Sequence, residues 1–179
     1  MSKDIHHKNK QLIQGFRDAL YNCDVTTLEE QLKAVFAKEA IIRLSYPFET
    51  LEGCDALFQT AYLPLLQAIP DLERRDFIFL AGSSENSGNW VGCGGHYVGS
   101  FKQQWLDIPP TGHLVFMRYH EYFKIENEKV VEMQAIWDIP QVMMQAKVWP
   151  MTPSLGIECV VPAPATQDGL LFESKTEEH

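Results

Sequence analysis

The 179-residue chain lacks nearly every feature that announces a function. No run approaches the ~18 apolar residues that a bilayer span needs, so no membrane partner is expected. The start, Met1-Ser2-Lys3-Asp4, leads into polar residues without an apolar stretch, and no secretory signal is expected. Cysteine is sparse: Cys23, Cys54, Cys93 and Cys159 are widely spaced, with no C-x-x-C pair. That pattern reads as free thiols in a reducing, cytoplasmic setting and argues against a disulfide framework. Basic clusters are missing as well. Lys and Arg number 15 against 24 Asp and Glu, a formal net charge of −9. Such a surface repels phosphate backbones, so nucleic acid is not an expected partner. The chain has no H-E-x-x-H, G-x-S-x-G, P-loop, EF-hand or dinucleotide-binding signature. Histidines 96, 113 and 120 do not have a diagnostic ligand spacing, and neither a metal nor an organic cofactor is expected.

What is present is the apolar content of a globular domain, 45%, with ten Phe, six Tyr and four Trp. The first segments have helical periodicity. Leu12, Ile13, Phe16, Ala19 and Leu20 predict a helix over residues 5–22, and Leu28, Leu32, Val35 and Phe36 a second over 27–35, capped by Thr26 or Thr27. A short β-branched strand is expected over 40–45, ended or bent by Tyr46-Pro47-Phe48. A third helix over 56–68 contains Pro64, which predicts a kink or two shorter helices. The period then changes to that of strands, over 77–81, 90–101, 114–125 and 130–138, with Asn127-Glu128 as a tight turn. A helical turn is expected over 140–147. Four glycines (Gly92, Gly94, Gly95 and Gly99) interrupt the strand over 90–101, as a strand bent over a cavity would require. Helices first and antiparallel strands after imply an α+β fold. The expectation is N-terminal helices packed on a strongly curved, mostly antiparallel sheet that encloses a pocket. Residues 1–147 form this domain, and residues 148–179, punctuated by proline, form an irregular extension packing on the domain or its partner.

The last hairpin carries the chemistry worth weighing. In the simplest register Phe123 faces Glu132, Glu121 faces Gln134, Tyr119 faces Ile136 and Met117 faces Asp138. Glu121, Glu132, Gln134 and Asp138 then share one face with Met117, Tyr119 and Phe123. A carboxylate on a mainly apolar face is raised in pKa by desolvation and can act as a general acid or base. The competing reading has these acids wet, or paired with Arg74, Arg75 or Arg118. His96, in the glycine-rich strand, could orient Asp138 or a substrate oxygen. Arg118, His120 and Trp137 form the opposite face, as a second pocket wall or an interface. Candidate catalytic residues are therefore Asp138, His96 and Glu121. Candidate ligand contacts are Tyr119, Gln134, Trp90, Met117, Arg118, His120 and Trp137.

Four stretches also carry a family likeness: Gly94-Gly95-His96-Tyr97-Val98-Gly99-Ser100-Phe101, Leu106-Asp107-Ile108-Pro109-Pro110-Thr111-Gly112, Arg118-Tyr119-His120-Glu121-Tyr122-Phe123-Lys124-Ile125, and Lys129-Val130-Val131-Glu132 followed by Asp138. Together with the N-terminal helices the chain resembles, over residues 8–146, the SnoaL-like polyketide cyclases of the NTF2-like superfamily. The resemblance implies a cone-shaped (cystatin-like) α+β fold with a hydrophobic cavity, usually dimeric through the sheet. It implies cofactor-independent acid/base chemistry on a small hydrophobic carbonyl or ester, as an aldol-type cyclase, isomerase or hydrolase. Asp138 matches the acid/base role, with His96 in support. Many members have His-Trp-Asp after the glutamate, where this chain has Met133-Gln134-Ala135, so the acid either corresponds to Asp138 or is lost at Ala135. The superfamily resemblance leaves a second reading open: a non-catalytic ligand-binding or dimeric scaffold protein. The tail over 149–168 resembles one found in longer members with two such domains.

Overall fold

A computed structural model of the protein describes residues 2–152, with side chains from residue 5 onward. Most of the extension expected over residues 148–179 therefore lies outside the described residues. Helix α1 spans Ser2–Tyr21 and α2 spans Val25–Val35. The cap of α2 is Asp24, ahead of the threonines expected, and its carboxylate accepts from Thr27 N at 2.9 Å and from the Thr27 hydroxyl at 2.7 Å. Strand β1 (Phe36–Arg43) follows directly, then the short β2 (Thr50–Glu52).

The helix expected over 56–68 is broken into three pieces, as Pro64 demands. These are α3 (Gly53–Leu57), one π-helical turn (Phe58–Tyr62) and α4 (Leu63–Ala68), with Pro64 in the first turn of α4. The N–H of Leu63 bonds the Phe58 carbonyl, five residues back, so the missing proline donor is accommodated by widening the preceding turn. Strands β3 (Glu73–Ser84), β4 (Gly88–Ser100), β5 (Leu114–Glu126) and β6 (Lys129–Trp137) complete the sheet, and α5 spans Ile139–Gln145. Asn127 and Glu128 both have positive φ, as a tight two-residue hairpin turn requires.

The strongly curved, pocket-enclosing sheet expected from the sequence is not found. The six strands form one open, mixed sheet in the order β2-β1-β6-β5-β4-β3 that is neither strongly curled nor closed. β2 and β3 are its two edges, and β1 pairs with β6 in parallel while the other neighbours are antiparallel. The glycines mistaken for bending points are sites of close approach. A Cβ on Gly95 would overlap the Arg75 backbone carbonyl and the Tyr119 hydroxyl, and one on Gly99 would overlap the Ile69 side chain. The pleat of β3 is instead interrupted once, by a bulge between Asp76 and Ile78.

α1 lies across β3 and β4, and α3 packs on β1. The space between helices and sheet is filled by side chains. Phe16 of α1 makes edge-on contacts with Phe36, Tyr62 and Phe123 at centroid distances of 6.5, 5.7 and 5.7 Å. Each large apolar side chain so buried contributes about 1.5–3 kcal/mol. This core fixes the inner sheet face, on which the next group of residues stands.

Candidate functional site

A bulge in β6 decides which residues of the last hairpin share a face. From Glu126 and Lys129 the ladder runs through Ile125–Val130, then jumps to Lys124–Glu132, leaving Val131 as the extra residue. Beyond it Phe123 faces Met133, Glu121 faces Ala135 and Tyr119 faces Trp137. The register read from the sequence is thus one residue off, and with a side-chain period of two such a slip exchanges the faces. Trp137 joins Glu121 on the inner face. Glu132, Gln134 and Ile136 move to the outer face, with Arg118, His120 and Tyr122.

The inner face carries a buried polar cluster. Glu121 and Arg74 are wholly buried, with Asp76 and Arg17 nearly so. Two guanidinium groups therefore face two carboxylates, and the charges balance. Arg74 Nη1 reaches Glu121 Oε2 at 2.6 Å, and Arg17 Nε reaches Asp76 Oδ2 at 2.7 Å. Arg74 also pairs with Asp76 Oδ1 at 3.2 Å. The second oxygen of Glu121 accepts from Tyr97 Oη at 2.8 Å, Trp137 Nε1 at 2.9 Å and Tyr62 Oη at 3.3 Å. Tyr119 donates its hydroxyl to Asp76.

Burial pushes the Asp76 carboxyl up, but Arg74, Arg17 and the Tyr119 hydroxyl outweigh it, and the net shift is downward. Burial, reinforced by the Glu121 charge, holds Tyr62 and Tyr97 well above the ordinary tyrosine value; burial does the same for Tyr119, with Asp76 adding to it. Cys93, on the neighbouring strand β4, is pushed up to about 12 by burial and stays a thiol. Met117 is buried on the same face.

The outer face carries a cavity of about 570 Å³ at the end of the sheet where β6 stops. Its polar wall is Arg118 and His120 of β5, two residues apart and half-buried, with Asp138 and Ser45. Ile136, Trp137, Ile139, Met143, Trp149, Leu106 and Ile108 supply most of its apolar surface, beside the cis Tyr46–Pro47 turn.

The end of β6 creates this site. Beyond Trp137 the backbone of β5 has no strand on its β6 side, and α5 supplies the missing partners there. Gln141 Oε1 accepts from Arg118 N at 2.8 Å, and Gln145 bonds both Phe116 N and Phe116 O, at 2.9 and 2.6 Å. Asp138 starts the helix as its cap, accepting from Gln141 N at 3.1 Å. The same residue thus anchors α5 and presents a carboxylate to the cavity.

Of the residues singled out in the sequence, Arg118, His120, Trp137 and Asp138 meet at the outer cavity. Glu121, Tyr119, Met117 and the indole N–H of Trp137 belong to the inner face. His96 is buried on the outer side of β4, cross-strand from Arg118, with its ring 5.6 Å from that of Phe77. Gln134 is exposed and donates to Glu132 at 2.7 Å. Trp90 stands at the far end of β4, opposite Lys124, bonding the Ser87 carbonyl at 2.9 Å.

Sequence reading missed Asp76, Tyr97 and Tyr62 as members of the inner cluster, although it weighed Arg74 as a partner for the acids. The available signal was Arg74 and Asp76 at alternate positions leading directly into an apolar strand. A larger hollow, about 710 Å³, lies between α1 and the β5–β6 turn, walled by Lys8, Asn9, Asn89 and Glu126 among others. It gathers none of the candidates. Among the described residues no group of three or more His, Cys, Asp or Glu is placed to hold a metal ion. None of the described helices is long and apolar enough to cross a membrane.

Comparison with known proteins agrees with the fold. AclR from Streptomyces galilaeus superposes with a TM-score of 0.64 at 16% identity, covering 82% of this chain and 85% of that one. IdmH from Streptomyces antibioticus superposes with a TM-score of 0.63 at 17% identity, covering 78% and 99%. An NTF2-like protein from Burkholderia thailandensis gives 0.58 at 16%, covering 78% and 96%. At such identities the likeness establishes the fold alone. No curated protein matches the chain in sequence. The family model of the SnoaL-like polyketide cyclases matches residues 10–146, from the middle of α1 to the end of α5. On that match the chain belongs to the SnoaL-like polyketide cyclase family.

Proposed function

We propose that the protein binds a small, largely apolar molecule bearing a carbonyl or ester oxygen, in the outer cavity beside α5. The observation that carries this reading is the convergence of Arg118, His120 and Asp138 on one wall of an otherwise apolar cavity of about 570 Å³. A few polar groups set in a mainly apolar hollow of this size is the usual form of a small-molecule site. Arg118 and His120 supply donors for the ligand oxygen, and Asp138 supplies the carboxylate for proton transfer. Cofactor-independent acid/base chemistry, of the aldol, isomerase or hydrolase kind, fits this set and the family. Non-catalytic binding is the alternative, and a single observation favours it: Asp138 is already engaged as a helix cap. The exposed apolar residues of the outer face, among them Ile78, Leu80, Tyr122 and Ile136, support a homodimer through the sheet. The thiols and acidic surface support a cytoplasmic protein.

The test is tryptophan fluorescence and amide NMR titration with neutral aryl ketones and esters, such as acetophenone and ethyl benzoate. Trp149 and Trp137 line the cavity and act as reporters. The expected result is saturable binding with shifts centred on Arg118, His120, Ile136 and Met143, abolished by Ile136→Glu. Shifts centred on the hollow beside Asn9, or none at all, would sink the proposal. Turnover retained in an Asp138→Asn variant would leave binding in place and remove the acid/base role.

A further inference from the structure

The inner cluster is more than an ion pair enclosed by a core. Four donors from four different elements converge on a single carboxylate. Tyr62 comes from the π-helical turn, Arg74 from β3, Tyr97 from β4 and Trp137 from β6. Three aim at Glu121 Oε1, and Arg74 takes Oε2 at 2.6 Å. All four side chains are essentially inaccessible to solvent.

A buried carboxylate needs its remaining lone pairs satisfied by donors beyond its paired cation. Here both oxygens are engaged, in the manner of a receptor for a carboxylic acid, by a guanidinium together with phenol and indole donors. The position opposite Glu121 on β6 is Ala135, a small side chain beside the carboxylate's strand position.

We propose that Arg74, Tyr62, Tyr97 and Trp137 form a carboxylate-binding cradle that the chain fills from within, with Glu121 as a tethered internal ligand. The cradle takes a small aliphatic carboxylate once the tether is cut. In the native chain it is closed to external acids because its ligand is covalently supplied at a very high effective concentration. The inner cradle and the outer cavity are then separate sites, and the cradle stands or falls independently of ligand binding at the outer one. Trp137 acquires two functions, with its indole N–H holding the internal carboxylate and its other side walling the outer cavity.

The experiment cuts the tether with Glu121→Ala and adds sodium propionate, a small aliphatic carboxylate that supplies the missing carboxyl group. Sodium chloride at equal ionic strength and propionamide serve as controls. Breaking a buried pair on one side is strongly destabilising, so the variant should lose about 10 °C or more in Tm. Propionate at about 100 mM should restore at least half of that loss, with Tm continuing to climb with the logarithm of its concentration, as binding to the folded state alone requires. In ¹⁵N spectra the Trp137 indole resonance should return toward its native position, and the native chain should not respond.

Rescue by chloride or propionamide as effective as by propionate would overturn the cradle, as would the absence of any rescue. Should Glu121→Ala fail to fold alone, refolding in propionate is the readout, and failure there too counts against the proposal. The double variant Arg74→Met/Glu121→Ala removes both charges and supplies the second check. It should be indifferent to propionate, and an unchanged response would show that the guanidinium is not part of the site.

Discussion

Strand β5 presents two chemistries on alternate residues. Met117, Tyr119, Glu121 and Phe123 face the helices and are buried, whereas Arg118, His120, Tyr122 and Lys124 face outward and are half-buried or exposed. Each face carries titratable groups beside a tryptophan. Inside, Glu121 is enclosed by four donors and Arg74 is raised well above its ordinary value: burial lowers it, but Asp76 and Glu121 outweigh that. Outside, Arg118 and His120 border an open hollow into which a molecule can diffuse. The contrast between the faces teaches that an acid within a greasy interior is not by that fact an active group. Glu121 is the more deeply buried acid, and four donors engage both of its oxygens. The outer carboxylate of Asp138 is less buried and stands at the cavity wall while it caps α5.

The largest test of this contrast is Arg74→Met. It strands Glu121 and Asp76 in the interior, and the expected loss is about 3–5 kcal/mol in denaturant unfolding. A loss under about 1 kcal/mol would mean that the inner cluster is wetter than its geometry shows.

The pH profile comes next. Asp76 has a folded value below its ordinary 3.8, so its contribution is present above that pH and is lost as pH falls through the folded value. Tyr62, Tyr97 and Tyr119 have folded values above the ordinary 10.0, so stability is intact below pH 10.0 and falls as pH climbs beyond it. Three of the six tyrosines should therefore show no tyrosinate absorbance at that pH until the chain unfolds. Smooth titration of all six near 10.0 would contradict the closed inner face.

Trp137→Phe should have an intermediate effect. It deletes one bond to an ionised acceptor, which costs about 1.5–3 kcal/mol, and it should also perturb the outer cavity. If only one of these responses appears, the two faces are not linked through this residue. Asp138→Ala removes the α5 cap and should cost about 1 kcal/mol, with a larger proportional loss of ligand affinity. Gln134→Ala, at an exposed position where the side-chain amide bonds Glu132, should stay within about 0.5 kcal/mol and leave binding intact.

Local patterns carried the element order. The stripes of α1 and α2, the break at Pro64 and the Asn127-Glu128 turn were legible because each depends on neighbours within a few residues. Strand β3 was read too short, from Phe77 rather than Glu73, because Glu73-Arg74-Arg75-Asp76 looks like a solvated run. Arg74 and Asp76 are buried there because Glu121 and Arg17 neutralise them, and those partners lie 47 and 59 residues away. The short strand β2 was missed outright, since three residues of Thr-Leu-Glu carry no period.

The site depended on a single extra residue. Val130 and Val131 are both apolar, so alternation does not tell which of them faces inward, and Val131 is the one left out of the ladder. That bulge sent Trp137 inward to Glu121 and left Gln134 outside. The glycines misled in a similar way, because a glycine that admits a neighbour's carbonyl and one that permits a bend look identical in sequence.

By itself the sequence determined the family, the α+β order of elements and the chemistry available: acids, arginines and aromatics without a metal-binding signature. Tertiary structure alone decided which acid stands among the inner donors and which borders the outer cavity, and that the sheet stays open. The physical reason is that charge pairing, register and close approach act between residues far apart in the chain, and in β-structure a shift of one residue exchanges inside for outside.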